Sequence, residues 1–163
     1  LIIKLDELRT KPNQKQKFSY ETSEVEDIKL VSPLEIEGEI SYIESEIFVK
    51  GNYRTKVGTP CVKCLKEVTV NLEGEFDGQY SEGNDFKEHI ESLKKECDVK
   101  ENYLDEAVNG EIDITDLVRE FIILDMPPYP SCEPECDGLE EMEKYSKKDD
   151  VDPRWQELLN IKN

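Results

Sequence analysis

The sequence predicts an α+β fold: a twisted antiparallel β-sheet or partly open barrel, one main packed helix and a short C-terminal helix. Three observations predict it. Apolar and polar residues alternate through much of Leu30 to Tyr80. Ile114, Leu117, Val118, Phe121 and Ile122 recur at helical spacing. Asp152 and Pro153 then form a helix start ahead of Trp155, Leu158 and Leu159.

The elements follow in order. The opening LIIKLDEL reads as a short strand, leading into a basic loop with Pro12 and Asn13. In LEIEGEISYI, Leu34, Ile36, Gly38, Ile40 and Tyr42 share one face and three glutamates share the other, as in a half-buried strand. The next strand, SEIFVKGNYRTKV, turns Ile47, Val49, Tyr53 and Val57 inward, and Gly51 marks a bulge. A third strand gives Val68, Val70, Leu72, Gly74, Phe76 and Gly78 one parity. Short links make the three a meander.

Ser81 to Lys100 is a polar, variable loop in which Phe86, Ile90 and Leu93 allow a short surface helix. ENYLDEAV offers one more strand. Asp113 caps the main helix, Asp116 faces its positive end, and Pro127 with Pro128 stops it. Residues 1–138 thus form the domain, and 139–163 a charged tail with the final helix.

Formal charge is -18, from 21 basic and 39 acidic residues. Such a balance favours a basic partner over nucleic acid. The basic residues are uneven, however. Arg9, Lys11, Lys15 and Lys17 form one acid-free island, and Lys50, Arg54, Lys56, Lys63 and Lys66 a second. Together with Tyr53 they make a basic and aromatic set of the kind that holds single-stranded RNA by stacking and phosphate contact. The competing reading is solvated strand ends around a core tyrosine.

Cys61 and Cys64 form CVKC; Cys132 and Cys136 form CEPEC. Two close thiol pairs can close a tetrahedral zinc site. Lys63 and Lys66 favour thiolate at the first pair, while Glu133, Glu135 and Asp137 oppose it at the second. The alternatives are four reduced thiols, some of them small buried hydrophobes, or a redox-active pair. Cys97 has no partner in sequence, and His89 has no nucleophile at a recognisable spacing. No phosphate-binding, dinucleotide, metalloprotease or hydrolase motif is present, so the chain reads as a non-enzyme with no small-molecule substrate. No apolar run approaches the roughly 18 residues of a membrane span. The start is too short and acidic for a signal peptide, and the five cysteines suit a reducing cytoplasm.

CVKCLKEVTV after a β meander, then GEIDITDLVREFIILDMPPYPSC, then DPRWQELLNI, resembles the YceD family of large ribosomal RNA subunit accumulation proteins. The likeness runs from about Ile36 to Ile161, and its most specific part is the helix ending in Leu-Asp-Met-Pro before a cysteine. It implies a cytoplasmic bacterial or plastid protein in large-subunit ribosome biogenesis, supporting 23S-type RNA accumulation. Its partner would be ribosomal RNA or a basic ribosomal protein. An acidic adaptor without RNA contact, or a thiol redox protein, are the alternatives. Cys61, Cys64, Cys132 and Cys136 match family positions. The further cysteines of many relatives are missing after Gly138, which leaves room for one simple four-thiol zinc site.

Overall fold

Long alternating strands build the frame of this computed structural model, which describes residues 1–95 and 104–138. The main sheet has five strands in the order β2-β3-β4-β5-β6: β2 Lys15–Thr22, β3 Leu30–Ile43, β4 Glu46–Pro60, β5 Glu67–Ser81 and β6 Leu104–Glu106. A smaller sheet pairs β1 Ile2–Lys4 with β7 Glu111–Asp113. Among the described residues, three α-helices accompany the sheets: α1 Leu5–Thr10, α2 Gly83–Lys95 and α3 Ile114–Asp125.

The strand parities hold. Leu34, Ile36 and Ile40 of β3, Ile47, Val49, Tyr53 and Val57 of β4, and Leu72 and Phe76 of β5 are buried. So is the helical stripe of Ile114, Leu117, Val118 and Ile122 on α3. Asp113 caps α3 by accepting the Thr115 N–H at 2.9 Å. Phe121 meets Phe76 edge-to-face, with ring centres 6.4 Å apart. Each fully buried side chain of this size contributes about 1.5–3 kcal/mol, so the apolar inner face is the main source of cohesion.

Four expectations need correction. The sheet is mixed, because β6 pairs parallel with β5, and the two ends of the strand order leave it open. The opening strand stops at Lys4, and the chain turns helical so that Leu5 and Leu8 are buried one turn apart. The expected basic loop ends at Gln14, where a further strand begins: β2 pairs with β3 throughout and turns Phe18 and Tyr20 inward. The short helix allowed in the polar stretch after Ser81 is present as α2. Gly51 is not a bulge. It lies opposite Gly38 in unbroken register, and the irregularities fall between Leu30 and Glu35, around Pro33.

The two opposed glycines serve close approach. A Cβ on Gly38 would lie 2.7 Å from the Phe18 ring, and one on Gly51 2.7 Å from Phe76. The rings of the flanking strands occupy the space that side chains would fill.

The chain divides into two compact units. The first is Leu1–Thr59 with Thr69–Pro128 and contains the core just described. The second joins Pro60–Val68 to Tyr129–Asn163. The expected C-terminal helix and Cys97 lie outside the described residues, and His89 lies on α2. Among the described residues no helix is long and apolar enough to cross a membrane.

Candidate metal centre and charged sheet face

The second unit brings two loops together. One links β4 to β5 and carries Cys61 and Cys64. It closes on itself: Cys61 N–H donates to Lys66 O at 2.8 Å, and Leu65 N–H to Cys61 O at 3.0 Å. The other loop carries Cys132 and Cys136. Val62 N–H donates to Pro130 O at 2.9 Å, and Lys63 forms an ion pair with Glu135, so both contacts run between the loops.

All four sulfurs converge. Cys61 Sγ lies 3.7 Å from Cys136 Sγ, and Cys64 Sγ 3.5 Å from Cys132 Sγ. The four lie within 4.8 Å of one another. Four thiolates about 2.3 Å from one tetrahedral metal would stand about 3.8 Å apart. The donor set therefore fits a metal ion, and the thiols here are free rather than bridged. Cys61 is buried and the other three are partly exposed.

The thiols are electrostatically unequal. The backbone N–H of Cys64, helped by that of Lys63, draws the Cys61 thiol down to about 6 against the cost of burial. Hydrogen bonding to Cys64 and burial push Cys132 up to about 12. Cys136 is also raised, chiefly by Cys64. Lys63 and Glu135 stabilise each other's charged forms, raising the lysine and lowering the carboxyl.

The expected RNA-binding set does not form one basic surface. Tyr53 is 2 % exposed, and its ring faces the core, away from Lys50, Arg54 and Lys56. It therefore cannot stack on a base. The physical reason is strand parity: Tyr53 shares the inward face with Val49 and Val57. Arg9 lies 5.0 Å above the Tyr42 ring and pairs with Glu82. Lys15 pairs with Glu39 at 3.6 Å, and Arg54 with Glu73 at 3.3 Å. Lys11, Lys17, Lys50, Lys56 and Lys66 are exposed. Lys63 and Lys66 belong to the second unit.

On the outward face of the sheet, charge is sorted by strand. Glu35, Glu37 and Glu39 line β3, with Arg54, Asn52 and Lys50 directly opposite on β4. Glu73, Glu75 and Asp77 line β5, on the other side of β4. The β4 cations are thus flanked by acidic rows. An open groove of about 820 Å³ crosses this face, and its charged lining is Lys17, Lys50, Glu37, Glu39, Glu75 and Asp77. Four carboxylates outnumber two ammonium groups there. Sequence reasoning counted the cations and missed the flanking rows. The signal was present, because Glu35, Glu37 and Glu39 of β3 and Glu73, Glu75 and Asp77 of β5 repeat an acid at every second residue, while Lys50, Arg54 and Lys56 share one parity of β4.

Residues 49–162 match the family described as large ribosomal RNA subunit accumulation protein YceD. The chain belongs to the YceD family. The YceD match includes both cysteine pairs, nearly all of β4, and all of β5 and α3. By its name, the YceD family ties the chain to accumulation of large-subunit ribosomal RNA. No curated protein and no solved structure matches the chain.

Proposed function

We propose that this protein is a non-enzymatic factor in biogenesis of the large ribosomal subunit. It holds a basic ribosomal protein against the acidic outward face of its sheet, and so supports accumulation of the large-subunit RNA. The family supplies the process. The observation that favours a protein partner is the charged groove, where four carboxylates stand with two lysines and the cations of β4 lie between acidic rows. A phosphate backbone approaching those cations meets the acidic rows as well, on a chain of net charge -18. A lysine- or arginine-rich segment meets the same rows with attraction, which also speeds encounter at low salt.

The test is capture from lysate with and without nuclease. A basic large-subunit ribosomal protein should stay bound after nuclease and release as salt rises. Purified large-subunit RNA should not bind the isolated protein. The reading fails if the captured protein is lost with nuclease while RNA binds directly. Five phosphate contacts to a single strand would give a log-log salt slope near about -3.5.

A further inference from the structure

We infer that Cys61, Cys64, Cys132 and Cys136 bind one zinc ion in a closed four-thiolate shell, and that this ion holds the two loops of the second unit together. The geometry is the first ground. Paired Sγ separations of 3.5 and 3.7 Å approach the edge of a zinc–thiolate tetrahedron, about 3.8 Å. Four protein thiolates fill a tetrahedral ion, leaving no position for water or substrate, so the site is structural.

The second ground is what else joins these loops. Among the described residues of this unit, Cys61 alone is a buried apolar side chain, while Val62, Leu65 and Tyr129 are 49, 65 and 79 % exposed. Apart from contacts at the sulfurs themselves, the Val62–Pro130 hydrogen bond and the Lys63–Glu135 ion pair join the two loops. The ion pair is exposed, and such pairs contribute little. A segment with so little buried surface draws its order from a crosslink or a metal, and the thiols are free.

The third ground is charge. Four thiolates around a divalent ion carry a net double negative charge. The Lys63 N–H points at Cys61 Sγ from 3.4 Å, and the Lys63 ammonium stands beside the cluster while neutralising Glu135. Binding releases the thiol protons to solvent, and the metal changes no oxidation state. Sulfur tetrahedra also suit iron, so the ion itself must be identified.

Elemental analysis of protein purified without added chelator should find about one zinc per chain. Cys61→Ser and, separately, Cys136→Ser should each lower that content roughly tenfold or more. Cobalt in place of zinc should give thiolate charge-transfer bands and the visible spectrum of a tetrahedral ion. Amide resonances of residues 60–68 and 129–138 should collapse on chelation of the wild-type protein and return with zinc, while those of β3 and α3 persist. Iron in place of zinc, no tetrahedral cobalt spectrum with four reduced thiols, or loop resonances indifferent to chelation would each overturn the inference. The chelation experiment uses the wild-type chain, so a variant that misfolds does not blunt it.

Discussion

Tyr53 donates its phenolic hydrogen to the carboxylate of Asp125, joining the middle of β4 to the last residue of α3. An acid at a helix C-terminus opposes the helix dipole, and the hydroxyl gives that charge a partner. Gly74 of β5 makes the contact possible: a Cβ there would lie 2.6 Å from Asp125 Oδ2 and 2.9 Å from the Tyr53 ring. A buried ring, a bare glycine and an exposed carboxylate together set where the end of α3 meets the sheet.

Removing the hydroxyl alone tests this tie. Tyr53→Phe keeps the ring and loses one charge-assisted bond. The exposed Asp125 regains water, so the expected loss of stability is about 1–2 kcal/mol, read from urea midpoints at unchanged slope. Alkali tests the same residue differently. Burial raises the Tyr53 phenol above its ordinary range, with the hydrogen bond to Asp125 adding to it. Burial, then the charge of Asp105 and three further acids, does the same for Tyr80. The folded state holds both protons more tightly than the unfolded chain. Their contribution is therefore complete below about pH 10, where unfolded tyrosine ionises, and is lost as pH rises through the folded values. Phenolate absorbance should show two tyrosines ionising only as sheet structure disappears, and Tyr53→Phe should remove one of them.

Gly51→Ala should be more damaging than its size suggests. The new methyl would press on Glu37 O and the Phe76 ring, and one of these neighbours is backbone. Overpacking of this kind costs about 1–3 kcal/mol or more. Alanine at Gly83, where a Cβ meets nothing within 4 Å but φ is +41°, tests backbone strain alone. Thermal melts should place Gly51→Ala below the wild type with a loss of Phe76 ring-shift signals, which Gly83→Ala should retain.

Asp113→Ala should cost about 0.5–2 kcal/mol by removing the α3 cap. Asp113→Asn should retain most of the stability, since an amide oxygen can also accept the Thr115 N–H. Equal losses in the two variants would show that Asp113 acts through its charge instead.

What the sequence disclosed follows from how local each signal is. Leu34, Ile36 and Ile40 repeat within one strand, and Asp113 stands one residue before its helix, so both were legible. β2 was not, because KQKFSYET offers only Phe18 and Tyr20 as apolar residues, and Phe18 finds its place over Gly38 of the neighbouring strand. α1 rests on Leu5 and Leu8 alone, too few to show a period. The cysteine spacing announced two chelating pairs, but the approach of Cys61 to Cys136 and Cys64 to Cys132 depends on the path of the whole chain between them. Tyr53 was misplaced for a related reason. A cluster in sequence mixes both faces of a strand, and Tyr53 lies inward while Arg54 and Lys56 lie outward.

The charged face permits a test in which the two partner classes predict opposite signs. Glu37, Glu75 and Asp77 line the groove, and Lys50 stands among them. Changing Glu37→Gln, Glu75→Gln and Asp77→Asn removes three negative charges from exposed positions, where stability should shift by no more than about 0.5 kcal/mol each. For a basic protein partner, the triple variant should bind more weakly at low salt, by roughly tenfold, and Lys50→Gln more tightly, with both differences fading as salt screens the face. For an RNA partner the signs reverse: the triple variant gains affinity and Lys50→Gln loses it, with a salt slope smaller by about 0.7 for a single strand. Titrating both variants against the captured ribosomal protein and against large-subunit RNA, at two salt concentrations, decides between them. Weaker capture by the triple variant with tighter capture by Lys50→Gln is the expected pattern, and the reverse pattern would reassign the face to RNA.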